Sequence, residues 1–356
     1  MRSIVRREKR KCQPPLPEII DTLEFNGPER CLFDGEDWLL IDTYSNLGER
    51  IIVFASGQNL ARLAQAEWWA GDGTFSRAPQ VQRECFQQLY TIHAPVHGAL
   101  CPLAYCLLCG KSTAIYTTLL KSLMDKIETN RLTLSLQCFF SDLESGMISA
   151  LKQHFPALRH EVCFFHLSQS IWRKVQDFGL RQRYVSDVEF SIIIKMMAAL
   201  AFVPVEGVLD TFEELAKIMP KDAADVMSYF REHYIDGRRP RGRPRLQATF
   251  PPKLWNCRNR VLQDQPRTTN GVEAWHRRLS STIGASHPNI WTFMSFIRKE
   301  QAKTDVDIAR LEIGHPLPKR KKKEVDRDGR IKHIVRNYDS GDKIAFLRAV
   351  AHNFEF

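Results

Sequence analysis

Trp68-Trp69-Ala70-Gly71-Asp72-Gly73-Thr74-Phe75 opens the part of the chain on which the fold turns. It reads as a strand with an acid near its end, and the segments downstream keep a clear order. Strand-like runs recur at Cys85–Ala94 and Ala99–Cys109, and a helical pattern covers Ser112–Glu128. A fourth strand, Leu136–Phe140, leads into a helix over Leu143–His154. A fifth, His160–Phe165, leads into a helix from His166 onward. Three strands, helix, strand, helix, strand, helix is an α/β pattern with a mixed sheet.

Working outward toward the start, Trp38–Tyr44 and Arg50–Ala55 form a hairpin around Ser45, Asn46 and Gly48, and Asn59–Ala66 is a short helix. Pro14, Pro15 and Pro17 mark a linker before it. Toward the end, residues 184–234 are helical throughout, with Ile192, Met196 and Leu200 on one face and Val208, Phe212 and Leu215 on another. Helical patterns return at Gly271–Ile283 and at Pro288–Lys303, where Ile290, Phe293, Met294 and Ile297 share a face. The expected division is a basic segment and linker (1–36), a hairpin and helix (37–67), a core (68–183), a helical insertion with a basic loop (184–268), completion of the core (269–303) and a charged tail (304–356). The chain beyond Gly314-His315-Pro316 is expected to be extended or disordered.

The formal charge is +10, and its location matters more than its size. Residues 1–11, 237–245 and 319–323 each carry +5. With +15 in those three segments, the remainder carries −5. The compact part is therefore mildly acidic. Three short cationic runs that cannot form a core favour a polyanionic partner, and nucleic acid is the simplest. The most apolar stretch, Phe190 to Val205, is interrupted by Lys195 and is too short to cross a bilayer, so it reads as a buried helix and no membrane is expected. The start has no apolar run of the secretory kind. Nine scattered cysteines suit reduced thiols better than a disulfide frame.

Three acids stand at informative places. Asp72 lies on the first strand of the α/β part, Asp142 where the fourth strand runs out, and Glu273 at the start of a late helix. If the first and fourth strands are neighbours, the aspartates meet at the sheet's switch point, and a helix beside them delivers the glutamate. Three carboxylates suit two Mg²⁺ or Mn²⁺ ions about 3.5–4 Å apart. Each acid also has a local explanation. Asp72-Gly73 is a common turn pair, Ser141-x-x-Glu144 and Asn270-x-x-Glu273 are capping boxes, and Arg277 is within reach of Glu273 on a helix. Cys163-x-x-His166 is half of a zinc pattern, but Cys106 and Cys109 sit in an apolar strand and should face opposite sides.

Taken together, these residues resemble the Mutator-like element (MULE) transposase domain. The resemblance rests on Gly71-Asp72-Gly73-Thr74-Phe75, Gln88-Leu89-Tyr90-Thr91-Ile92-His93, Ser141-Asp142, Cys163-x-x-His166 and Thr269-Asn270-Gly271-Val272-Glu273-Ala274-Trp275-His276, in that order, over roughly Trp38 to Lys303. It implies a ribonuclease-H-like sheet with an α-helical insertion before the last catalytic helix. It implies that Asp72, Asp142 and Glu273 are the DDE triad holding Mg²⁺ or Mn²⁺, with Cys163 and His166 as the C-x-x-H signature. The reaction implied is phosphodiester hydrolysis at element ends, followed by attack of the freed 3′-hydroxyl on target DNA, carried out by identical chains assembled on DNA.

Two departures bear on DNA recognition. Only residues 1–36 precede the resemblance, with Cys12, Cys31 and no histidine, so the zinc finger that relatives carry there is expected to be absent or truncated. No cysteine follows Cys257, so a SWIM-type finger is not expected. The alternative is therefore a transposase-derived DNA-binding or regulatory protein without catalytic activity. Two basic runs point the same way, toward DNA and the compartment that holds it. Arg239-Pro240-Arg241-Gly242-Arg243-Pro244 resembles an AT-hook, whose arginines lie along A·T-rich minor groove. Lys319, Arg320, Lys321, Lys322 and Lys323 read as a nuclear-targeting run.

Overall fold

In a computed structural model of the protein, the residues described are 14–238, 246–265, 267 and 270–356. They divide into two compact units: residues up to 160 with 270–317, and residues 161–269 with 318–356. In chain order the strands are β1 (Leu39–Tyr44), β2 (Arg50–Phe54), β3 (Trp68–Thr74), β4 (Gln88–Val96), β5 (Ala99–Leu108), β6 (Cys138–Ser141) and β7 (Arg159–Val162). The first unit adds helices α1 (Gly57–Gln65), α2 (Thr113–Thr129) and α3 (Ser145–His154). The second holds α4 (Phe164–Asp177), α5 (Arg181–Ser186), α6 (Val188–Ala199), α7 (Val208–Ile218), α8 (Ala224–Phe230), α9 (Pro252–Trp255) and α10 (Arg258–Leu262). Helices α11 (Asn270–Ile283) and α12 (Ile290–Glu312) belong to the first unit, and α13 (Lys322–Arg336) and α14 (Lys343–Ala351) to the second.

The sheet has seven strands in the order β1-β2-β5-β4-β3-β6-β7. From β1 to β3 all neighbours are antiparallel, whereas β3 and β6 run parallel. This is a mixed α/β sheet compatible with a ribonuclease-H-like fold. The first and fourth strands of the α/β part are adjacent. The β4–β5 hairpin is tight: Val96 pairs with Ala99, and His97 (φ 48°) and Gly98 (φ 82°) both take positive φ. That conformation matches the strand twist and suits glycine.

Period-two alternation sorts the strand residues onto two faces. Ile51, Val53, Tyr90, Ile92, Cys106 and Leu108 point to one side, where they pack with Ile115, Leu119 and Leu123 of α2 and Met147 and Leu151 of α3. Ile52, Phe54, Leu89, Tyr105 and Leu107 point to the other, against Trp275 and Leu279 of α11 and Phe293, Met294 and Ile297 of α12. A small cluster of Ala70, Cys138, Phe140 and Val272 packs the first turn of α11 onto β3 and β6. Ser56 and Ser112 cap α1 and α2, accepting hydrogen bonds from Asn59 N and Ile115 N, each worth about 1 kcal/mol.

The second unit is dominated by helices. α6 is buried almost throughout, Lys195 included, so the apolar stretch is a buried helix. No described helix is long and apolar enough to cross a membrane. The expectation of an extended or disordered tail is corrected: residues 322–336 and 343–351 are helical. Ile331 and Val335 on α13, and Phe346, Leu347, Val350 and Ala351 on α14, are buried at helical spacing. Lys343 pairs with Asp210, and Arg348 with Glu189 at 2.6 Å, both within this unit. Between α13 and the chain before α11, Arg267, Arg320 and Arg327 all approach Asp328.

Candidate active site

The parallel register of β3 and β6 pairs Trp68 with Cys138, Trp69 with Phe139 and Ala70 with Phe140. Each pair is separated by 70 residues, and the same offset separates Asp72 from Asp142. Neighbouring strands lie about 4.8 Å apart. Asp72 lies within β3 and Asp142 directly follows β6, and the charges of both act on Tyr90 and Glu144. Asp142 Oδ1 accepts the backbone N–H of Glu144 at 3.1 Å, and Asp72 Oδ1 that of Gly73 at 2.9 Å.

The Asp-Gly turn reading does not hold at Asp72, because β3 pairs with β4 through Gly71, Asp72, Gly73 and Thr74. The glycines are required by what crosses them. A Cβ on Gly71 would lie 2.2 Å from Tyr90 Oη and 2.8 Å from Phe139 Cζ, and one on Gly73 would lie 2.2 Å from Gln88 Oε1. Glycine in a strand here marks close approach by neighbouring side chains. The Ser141-x-x-Glu144 capping box is also absent. Ser141 Oγ donates to Asp142 O and meets His160 Nε2 at 2.8 Å, while Glu144 precedes α3 without a side-chain cap.

Glu144 is instead a third acid at this strand end. Its Oε2 accepts the Tyr116 hydroxyl at 2.6 Å, and that hydroxyl accepts from Gln88 Nε2 at 2.7 Å. Burial raises its carboxyl above the usual range; the Asp142 and Asp72 charges add to this, and Lys111 opposes it. Tyr90, buried beneath the glycines, is held far above its ordinary pKa, first by burial and then by Tyr116, Asp142, Asp72 and Glu144. Negative charge accumulates here.

Helix α11 brings the remaining residues. His276 Nδ1 lies 3.1 Å from Asp72 Oδ2, and both side chains are almost fully buried. Glu273, half-buried, sits three residues earlier, one turn toward the N-terminus on the same helical face. Val272 beside it is fully buried against β3 and β6. Asp72, Asp142 and Glu273 belong to one unit, and the helix that carries Glu273 contacts Asp72 through His276. Among the described residues of this unit, no three acidic, histidine or cysteine ligand atoms lie within 4.8 Å of one another. These side chains therefore do not form a closed single-ion cage. Hard carboxylate oxygens in a negative setting nonetheless fit divalent cations.

Cys163 is buried at the N-cap of α4 and His166 lies in its first turn, His166 N donating to Cys163 O at 3.1 Å, in the second unit. Cys106 and Cys109 pack into opposite faces of the sheet, which removes them as a chelating pair. Arg239, Arg241, Gly242, Arg243 and Pro244 lie outside the described residues. Lys319, Arg320, Lys321, Lys322 and Lys323 are exposed, the last two in the first turn of α13, and Arg320 pairs with Asp328. The described cysteines are all free.

The sheet and its clustered carboxylates are those of an α/β protein with an acidic site at the ends of adjacent parallel strands. Residues 68–170 match the family model of the MULE transposase domain. The match starts with β3 and ends within α4, under a third of the chain. It includes Asp72, Asp142, Cys163 and His166; Glu273 lies beyond it. No curated protein and no solved structure compared with the chain matches significantly.

Proposed function

We propose that this protein is a DDE-type transposase of the Mutator-like class, with Asp72, Asp142 and Glu273 as its catalytic carboxylates. The observation that supports the reading is the parallel pairing of β3 with β6, Ala70 opposite Phe140 two residues before each aspartate, with α11 tied to Asp72 through His276. Asp72 and Asp142 would hold divalent ions, with Glu273 completing the set. When bound, Mg²⁺ or Mn²⁺ activates the attacking oxygen and neutralises charge on the leaving one. The chain's part is to position: the backbone N–H groups of Gly73 and Glu144 orient the two aspartates, and the covering helix fixes Glu273. The substrate is DNA, at element ends and then at the target, and the helical segment between Asp142 and Glu273 is the insertion of such enzymes.

The basic runs extend this reading. Residues 239–244 would contact A·T-rich minor groove, Lys319–Lys323 would direct the chain to the nucleus, and identical chains would assemble on DNA. The test is nicking of supercoiled plasmid with Mg²⁺ or Mn²⁺ by the full chain, beside Asp72→Asn. Metal-dependent nicking by the wild type alone supports the enzyme. Duplex binding without nicking in either protein favours a regulatory DNA-binding protein instead.

A further inference from the structure

We propose that His276 is a positioning residue for Asp72, locked in its Nδ1–H tautomer by Thr91 and His93 so that the carboxylate is held in one orientation for a cation. This rests on the reading of Asp72 as a cation ligand. An ionised carboxylate only accepts, so the 3.1 Å contact at Asp72 Oδ2 places the His276 proton on Nδ1. In that tautomer the ring's Nε2 accepts. Thr91 Oγ1, 2.9 Å away, donates its single proton there. The lone pairs of Thr91 Oγ1 accept in turn from His93 Nε2 at 3.0 Å, which places the proton of His93 on Nε2. Each donor meets one acceptor, and the carboxylate sets the direction of the whole chain.

The fold supplies these residues as a set. Thr91 is the cross-strand partner of Asp72, and His93 of Ala70, so strand register puts both on the face that α11 covers. His93 is fully enclosed, and burial above all holds its pKa well below the ordinary value, in keeping with a neutral ring. The Trp275 ring stands edge-on to His93 at 5.4 Å and at a similar distance from His276. These rings leave the His276 imidazole little room to turn. Three buried polar side chains thus fix one oxygen of Asp72, while Oδ1 takes the N–H of the adjacent Gly73. Glu273, three residues before His276, is set in rotation by the same contact. Partners of this kind behind a metal ligand typically change affinity by roughly 10–100-fold when removed.

The test uses the full chain. In the metal-free protein labelled with ¹⁵N-histidine, the expected signals are Nδ1–H with an accepting Nε2 for His276, and Nε2–H for His93. Thr91→Val should shift the His276 Nε2 signal. Mn²⁺ affinity is then read by free-ion electron paramagnetic resonance. His276→Phe should weaken binding at least about tenfold; His276→Asn, which keeps a donor near the Nδ1 position, should restore most of the loss. An Nε2–H tautomer at His276 overturns the proposal, as does a folded His276→Phe variant with wild-type affinity. A wild type that binds no Mn²⁺ defeats the cation reading itself, whatever the tautomer.

Discussion

Thr91 is the cross-strand partner of Asp72, and its hydroxyl lies 2.9 Å from the ring of His276, which in turn contacts the Asp72 carboxylate. One strand register therefore decides both where the acid stands and what supports it from behind. On the opposite flank β3 pairs with β6, which Asp142 directly follows, with the Glu144 N–H on its Oδ1.

At Asp142, function and stability should separate. Asp142→Asn should abolish metal-dependent nicking, by about 100-fold or more, because a carboxamide is a poor substitute for the anionic oxygen. In EDTA its thermal midpoint should equal or exceed that of the wild type, since one of several clustered like charges is removed. Thermal unfolding with and without chelator checks this. A large loss of stability in EDTA would mark Asp142 as structural.

Gly71→Ala should do the reverse. The new Cβ would lie 2.2 Å from Tyr90 Oη and 2.8 Å from Phe139 Cζ, both in the packed core. Overpacking of this kind costs about 1–3 kcal/mol. Ala at Gly179, whose positive φ is strained but whose Cβ meets nothing within 4 Å, isolates the backbone effect from the steric one. Urea midpoints for the two variants give the comparison; a neutral Gly71→Ala would mean the neighbouring rings move freely.

Stability should also fall in mild acid. His93 is held well below its ordinary pKa by burial, and His160 is pushed down to about 4 by the same cause. Unfolded, both titrate near about 6.5. Between these values the unfolded chain binds protons that the folded chain refuses, so stability is full above about pH 6.5 and is lost as the pH falls toward 4. For His160 the whole loss is about 3 kcal/mol, at 1.36 kcal/mol for each pKa unit. Urea unfolding at pH 7 and pH 5 should show the drop. His160→Gln should remove part of it; an unchanged pH slope in that variant would reject the assignment.

The order of strands and the helix carrying Glu273 were legible because each depends on local periodicity. The Gly71 and Gly73 requirement was not, since it arises from Tyr90 and Gln88 on a strand whose register only the folded sheet reveals. Ser141 matches a capping pattern, yet its hydroxyl is engaged by His160 from β7, a partner no local rule identifies. Glu144 fits the same helix-cap pattern and proves to be a half-buried acid with a raised pKa. The last two helices were hidden by charge. Ile331 and Val335, four residues apart, and Phe346, Leu347, Val350 and Ala351 held the signal for them. In the Thr91-x-His93 and Glu273-x-x-His276 spacings the relay was half visible: each puts two polar residues on one face, but neither spacing shows that the two faces meet.

The most direct measurement is a Mn²⁺ titration of the metal-free chain followed by free-ion electron paramagnetic resonance, for the wild type, Asp72→Asn and Asp142→Asn. The expected result is saturable binding by the wild type and at least about tenfold weaker binding in each variant, because one oxygen-donor set is being dismantled from either side. Wild-type affinity retained in both variants would contradict the shared carboxylate site and place any bound cation elsewhere.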